Sequence, residues 1–248
     1  MKRKASLVLI LAMLALALPG CQNEPPAQSE RAAGLLLQFA APKDALADMK
    51  STPVGSDPWQ LYYAGPEYVY LTYNFGVNYI FRYNVRQNAI DKALDTGALF
   101  PAGRSNPCSA NCAFSADGRY AVVIAGLAPE DKPPQSPVYK VDFHQNEISV
   151  LADDSEGFAV PTGFAFLTYE ETLAGAAEYI ALAEESPDLP EPYGWCVTAK
   201  LDEERFFLIR PNDPEDAFPG PGYYYYKIDV ADIAQGGSVQ EYRLDGDG

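Results

Sequence analysis

Apolar side chains recur at every second position in several short segments of this chain. Phe81, Tyr83 and Val85 alternate with Arg82, Asn84 and Arg86, the period-two signature of a strand that turns one face inward. The ten residues Phe81–Ile90 align without a gap on Tyr139–Ile148. Each keeps the order aromatic, basic, apolar, Asn or Asp, apolar, then a Gln-Asn turn that leads into another strand. A third copy, Tyr226-Lys227-Ile228-Asp229-Val230, is followed by a longer turn through Gly236-Gly237. Its parity sets Tyr226, Ile228 and Val230 inward and Lys227 and Asp229 outward. A further strand precedes each copy, at Tyr68–Leu71, Tyr120–Ile124 and Phe206–Ile209. The first two copies start 58 residues apart and the last two 87 apart. The second spacing is near twice the roughly 43 residues of one propeller blade, which predicts a degenerate unit between them.

Phe114-Ser115-Ala116-Asp117-Gly118-Arg119-Tyr120 introduces the second unit. Asp-Gly marks a tight hairpin because glycine accepts positive φ. The stretch resembles the F-S-P-D-G-R-Y hairpin of TolB-like and WD40-like β-propeller blades, with Ala116 in place of proline, and Leu201–Phe206 is a looser version. The resemblance covers roughly residues 56–248. It implies a mainly β fold of propeller-like, antiparallel four-stranded units. The ring is small or incomplete, unless residues 34–55 complete its first unit; another antiparallel β fold is the alternative. Glu170–Glu185 is rich in Ala and Glu like a helix and reads as a helical insertion or a distorted blade. Ala45–Met49 reads as a short helix.

The N-terminal pattern is of another kind. Lys2-Arg3-Lys4 precedes a twelve-residue apolar run, Leu7–Leu18, too short to span a bilayer comfortably. The run ends in Leu18-Pro19-Gly20-Cys21, which resembles the lipobox of bacterial lipoproteins, although Pro19 departs from the usual residue there. The resemblance implies cleavage before Cys21 and lipidation of its thiol, with the acyl chains acting as a membrane anchor. Three regions follow: a signal peptide over 1–20, a lipid-anchored tether over 21–55 whose residues 22–33 are polar and Pro-containing, and a β-propeller-like domain over 56–248. The expected location is the extracytoplasmic face of the cell envelope.

Charge narrows the partners. The chain carries a formal −16, and loss of residues 1–20 removes three positive charges and no acid, which takes it to −19. Such a surface repels nucleic acid and anionic lipid, and it also keeps an exported protein soluble. The composition, with 17 Tyr and 12 Phe against 21 Pro and 19 Gly, suits strands joined by many turns.

The chemistry is sparse. His144 is the sole histidine, which excludes multi-histidine metal sites and the HExxH proteases, and its place beside the Gln-Asn turn reads as a solvated residue. The sequence contains no Gly-x-Ser-x-Gly elbow, Walker A loop or GxGxxG loop. Asp153-Asp154, Glu184-Glu185 and Glu203-Glu204 are carboxylate pairs of the type glycosidases use, in a chain where acids are common. Asp245–Gly248 is too short for a calcium loop. Cys108, Cys112 and Cys196 are candidates for disulfide pairing after export, and Cys112 and Cys196 occupy similar places before their units. In Tyr223-Tyr224-Tyr225-Tyr226, alternation sends Tyr224 and Tyr226 to the packed face. Tyr223 and Tyr225 then pack under a neighbouring unit or form an aromatic binding platform. No catalytic residue, metal or cofactor is assigned. The reading is a non-enzymatic, surface-anchored module for a protein or glycan, with an extracytoplasmic glycan-active hydrolase or lyase as the alternative and a structural envelope component third.

Overall fold

The computed structural model describes residues 37–50, 59–73, 79–97, 111–124, 137–191, 197–211, 226–235 and 237–244. In chain order these form β1 (Gln38–Ala40), α1 (Pro42–Lys50), β2 (Trp59–Ala64), β3 (Tyr68–Tyr73), β4 (Tyr79–Asn84) and β5 (Ala89–Asp95). Then come β6 (Asn111–Ser115), β7 (Tyr120–Ile124), β8 (Val138–Asp142), β9 (Glu147–Ala152), β10 (Phe164–Ala165) and α2 (Tyr169–Glu185). Last are β11 (Val197–Lys200), β12 (Arg205–Pro211), β13 (Tyr226–Asp232) and β14 (Ser238–Arg243). The described chain is mainly β, with three antiparallel sheets and two helices.

Each sheet contains one four-stranded meander. The first runs β2-β3-β4-β5 with β1 added beside β5, the second β6-β7-β8-β9 with β10 added beside β6, and the third β11-β12-β13-β14. β1 and α1 lie before residue 56, yet they join the first sheet: Leu37, Ala45 and Leu46 are buried in its cores.

The first sheet lies between the other two. Its Val69, Leu71, Phe81 and Tyr83 pack on Ala199, Phe207, Ile228 and Val230 of the third sheet. Its Tyr70, Ile80 and Leu94 pack on Phe114, Ala121, Val123, Tyr139 and Val141 of the second. A strand covered on both faces has little use for polar residues, and β3 (Tyr-Val-Tyr-Leu-Thr-Tyr) shows this directly. The same double cover corrects the expectation that Arg82 and Asn84 face outward with Arg86. Arg82 is 5% exposed and Asn84 9%, because the second sheet closes over that face. Arg82 pairs with Asp91 at 2.7 Å and donates to the Phe143 carbonyl, so the buried charge is neutralised and its N–H groups are used.

The aligned segments build equivalent turns. Asn84 Oδ1 accepts the Gln87 N–H at 3.1 Å, and Asp142 Oδ1 accepts those of His144 and Gln145 at 2.8 and 3.0 Å. Asn88 and Asn146 then take the left-handed conformation at φ 51° and 58°, which asparagine tolerates. The third sheet differs in register. Its turn acceptor is Asp232, which takes the Gln235 N–H, and Gly237 holds φ 81°. Asp229, the residue aligned by sequence, lies mid-strand and is fully buried rather than outward, because β13 continues through Val230 and Ala231 before turning. The Asp-Gly hairpin forms as expected: Gly118 has φ 66° and donates to the Ser115 carbonyl.

The degenerate unit expected between the second and third copies is replaced by a strap and a helix. Phe158, Val160 and Phe164 cover the second sheet's free face over Ala113, Val122 and Val138. β10 then pairs with β6, and the chain enters α2 through a capping box. Thr168 Oγ1 accepts the Glu171 N–H, while Glu171 accepts the Thr168 N–H, satisfying two orphan donors. α2 lies on the third sheet's free face, with Tyr179 buried against Phe206, Leu208 and Ala231. Gly175 permits the close approach, since a Cβ there would stand 3.0 Å from the Lys200 nitrogen.

Candidate functional site

A bulge in the edge strand β2 shapes the candidate site. Leu61 pairs with Leu71 and Tyr63 with Tyr70, so Tyr62 is the extra residue. Regular alternation would send Tyr62 and Tyr63 to opposite faces, but the bulge turns both toward the second sheet, as bulges beside functional surfaces often do. Tyr63 reaches across the hairpin, its hydroxyl donating to the Ala116 carbonyl at 2.9 Å. Tyr62 turns instead toward the start of β6.

There Gln60, Leu61 and Tyr62 of β2 face Asn111 and Cys112 of β6, and Phe166-Leu167 of the strap closes the third side. The resulting cleft holds about 280 Å³. Burial pushes the Tyr62 phenol and the Cys112 thiol well above their ordinary values, so both are neutral and protonated across the physiological range. Among the described residues the lining has no charged side chain.

Exposed Phe166 at the cleft is followed three residues later by an exposed apolar flank of α2, and the two are together called the ridge. Phe166 is 43% exposed, Tyr169 76%, Leu173 48% and Ile180 43%. Tyr169, Leu173 and Ile180 share one flank of α2 by helical spacing, adjoining the face that Gly175 and Tyr179 bury. Exposed Glu170, Glu184 and Glu185 border it, and among the described residues no ion pair engages these three. Glu184 and Glu185 sit in the last turn, where the helix has no basic residue and the dipole disfavours negative charge.

The residues singled out from sequence fall in different places. Cys21, Cys108, Cys196, Tyr223 and Tyr225 lie outside the described residues. Cys112 is buried in β6 on the cleft floor. His144 is an exposed turn residue with its ring edge against Tyr68. Asp153-Asp154, Glu184-Glu185 and Glu203-Glu204 are all exposed and none lines the cleft. Among the described residues, no group of three or more His, Cys, Asp or Glu side chains could hold a metal ion. The ridge was partly legible, since Tyr169–Glu185 has a helical composition and an apolar i, i+4 pair at Tyr169 and Leu173. The cleft was not, because a bulge and a returning strap leave no periodic trace.

No protein-family model matches this chain, and comparison with curated proteins finds no match.

Proposed function

We propose that this chain is a lipid-anchored, extracytoplasmic binding module that docks a protein partner on the ridge running from Phe166 to Ile180. The exposed ridge carries the proposal. Large apolar side chains aligned on one helix flank are costly on an exported acidic protein, and grouped exposure of this kind marks interaction surfaces. The uncompensated carboxylates beside it select a partner that sets Lys or Arg next to apolar anchors. A second copy of the chain would bring the same carboxylates and be repelled, as would an anionic lipid surface.

The platform beneath the ridge is read as a short, incomplete propeller. Three consecutive meanders stack face to face, and the first sheet meets the third with the face (Phe81, Tyr83) that the second sheet (Tyr139, Val141) turns to the first. This repeated relation supports a blade-like arrangement. The strap and α2 cover the two faces on which further blades would stack, which explains a halt at three units.

The anchoring half of the proposal rests on Lys2-Arg3-Lys4, the Leu7–Leu18 run and Cys21. Cys21→Ala is expected to release the protein from membranes or leave the leader uncleaved; a processed, fully membrane-bound variant would refute the anchor. For docking, a photo-crosslinking amino acid at Tyr169 is expected to capture one envelope protein in the producing cell. The same group at Leu151, an exposed apolar site on β9, should not capture that protein. Equal capture from both sites, or none from Tyr169, would overturn the docking face.

A further inference from the structure

We infer that the cleft between β2, β6 and the strap binds a single neutral sugar ring, a site separate from the protein-docking ridge although Phe166 borders both. Three polar side chains line it: the Gln60 amide, the Tyr62 hydroxyl and the Asn111 amide. None of them makes a side-chain hydrogen bond among the described residues. Tyr62 is only 6% exposed, yet its hydroxyl is not among the buried polar atoms that lack a partner, so it opens into the cleft. The bulge at Tyr62 is what brings this phenol to the same side as the neighbouring Tyr63 and toward Asn111 and Cys112.

The chemistry of the lining defines the ligand. Two amides each offer donors and an acceptor, and the phenol offers one of each. The ligand must therefore both donate and accept at several neighbouring points. Among the described residues the lining carries no charge in a chain of net −16, which favours a neutral ligand over an acidic or cationic one. A volume of about 280 Å³ lies at the small end of the range for ligand pockets and suits one ring rather than an extended chain. Phe166, 43% exposed at the rim, supplies an apolar surface on which one side of the ligand can rest. A pyranose meets all these demands, since its hydroxyls donate and accept around the ring edge while its C–H groups form an apolar face. A nucleobase would want flat aromatic groups on both faces.

The test is titration of the full chain in detergent with a panel of glucose, galactose, mannose, N-acetylglucosamine and glucuronate, followed by ligand-observed NMR and calorimetry. Saturable binding of at least one neutral sugar, with glucuronate weaker, is expected. Tyr62→Phe keeps the ring and removes the hydroxyl, and should weaken binding about tenfold, the loss of one hydrogen bond. Gln60→Ala and Asn111→Ala should act similarly, and Phe166→Ala should reduce binding further, all with unchanged melting temperatures. No saturable binding to any of the panel would overturn the site, as would a preference for glucuronate or an affinity indifferent to Tyr62→Phe and Asn111→Ala. Sugar binding should persist in Leu173→Glu/Ile180→Glu. A loss of sugar binding in that variant without loss of fold would show that cleft and ridge are one site, which also overturns the inference.

Discussion

Tyr179 and Tyr169 stand on the same helix and meet opposite circumstances. Tyr179 has no exposed surface; its ring lies 5.4 Å from that of Phe206 and its hydroxyl donates to the Pro190 carbonyl at 2.8 Å. Tyr169 is 76% exposed. The flank with Gly175 and Tyr179 holds α2 to the third sheet and closes a face that would otherwise expose Phe206 and Leu208. The flank with Tyr169, Leu173 and Ile180 contributes nothing comparable to the fold. Apolar residues kept where folding does not use them point to a use outside the folded chain.

The comparison breaks first at its buried side. Tyr179→Ala removes a fully buried aromatic and leaves the Pro190 carbonyl without its donor. A loss of about 3–5 kcal/mol is expected, measured by urea denaturation. A loss under about 1 kcal/mol would mean that α2 is not fastened by this residue, and the contrast with Tyr169 would fail.

Gly118→Val comes next. Gly118 holds φ 66°, and a Cβ there would lie 2.7 Å from the Tyr63 ring. A β-branched residue in the left-handed region costs at least about 1–2 kcal/mol, and displacement of Tyr63 adds to it. The Tyr70 hydroxyl also donates to the Gly118 carbonyl at 2.6 Å, so the joint between first and second sheets should loosen. A melting temperature equal to that of the parent would show that the hairpin relaxes freely.

How much of this was legible in the sequence follows from where each residue finds its partner. The strands, the Asp-Gly hairpin and the Gln-Asn turns depend on neighbours a few residues away, and the sequence predicts them. The helix at Tyr169–Glu185 has its Ala-rich composition and a Thr168–Glu171 capping box. Arg82 was misplaced because its partner, the Phe143 carbonyl, is 61 residues away. Asp229 was misplaced because the third copy's strand runs on to Asp232 before turning, which shifts its register. The cleft depends on a bulge in the edge strand β2, a strap and the distant strand β6, and nothing local announces it.

The two matched turns offer a finer test. Burial opposes ionisation of Asp142, but the Gln145 N–H, the Arg119 guanidinium and the His144 N–H outweigh it and hold the carboxyl below its ordinary value. A carboxyl lowered on folding contributes stability above its unfolded value and loses it as pH falls through the folded one. Asn84 already closes the equivalent turn of the first sheet with an amide oxygen. Asp142→Asn should therefore keep the turn, lower stability at neutral pH by what the carboxylate and its pair with Arg119 contribute, and flatten the further loss below about pH 4. An unchanged acid limb in pH-dependent melts would remove Asp142 from the acid response.

The smallest expected effect on stability is on the open flank of α2. Leu173→Glu/Ile180→Glu replaces two half-exposed apolar side chains on a helix whose hold on the sheet is made by other residues. Glutamate is a good helix former, and surface substitutions away from packed features stay within about 0.5 kcal/mol. The added charges sit beside Glu170 and Glu184, so a minor cost from like-charge repulsion is expected, reduced by salt. Binding should behave oppositely. If the ridge docks a partner through its apolar side chains, the double variant should lose the protein captured from Tyr169 while melting close to the parent. A collapse in melting temperature would place this flank with Tyr179 as part of the fold. Retained capture with retained stability would leave the exposed apolar flank without the role proposed for it.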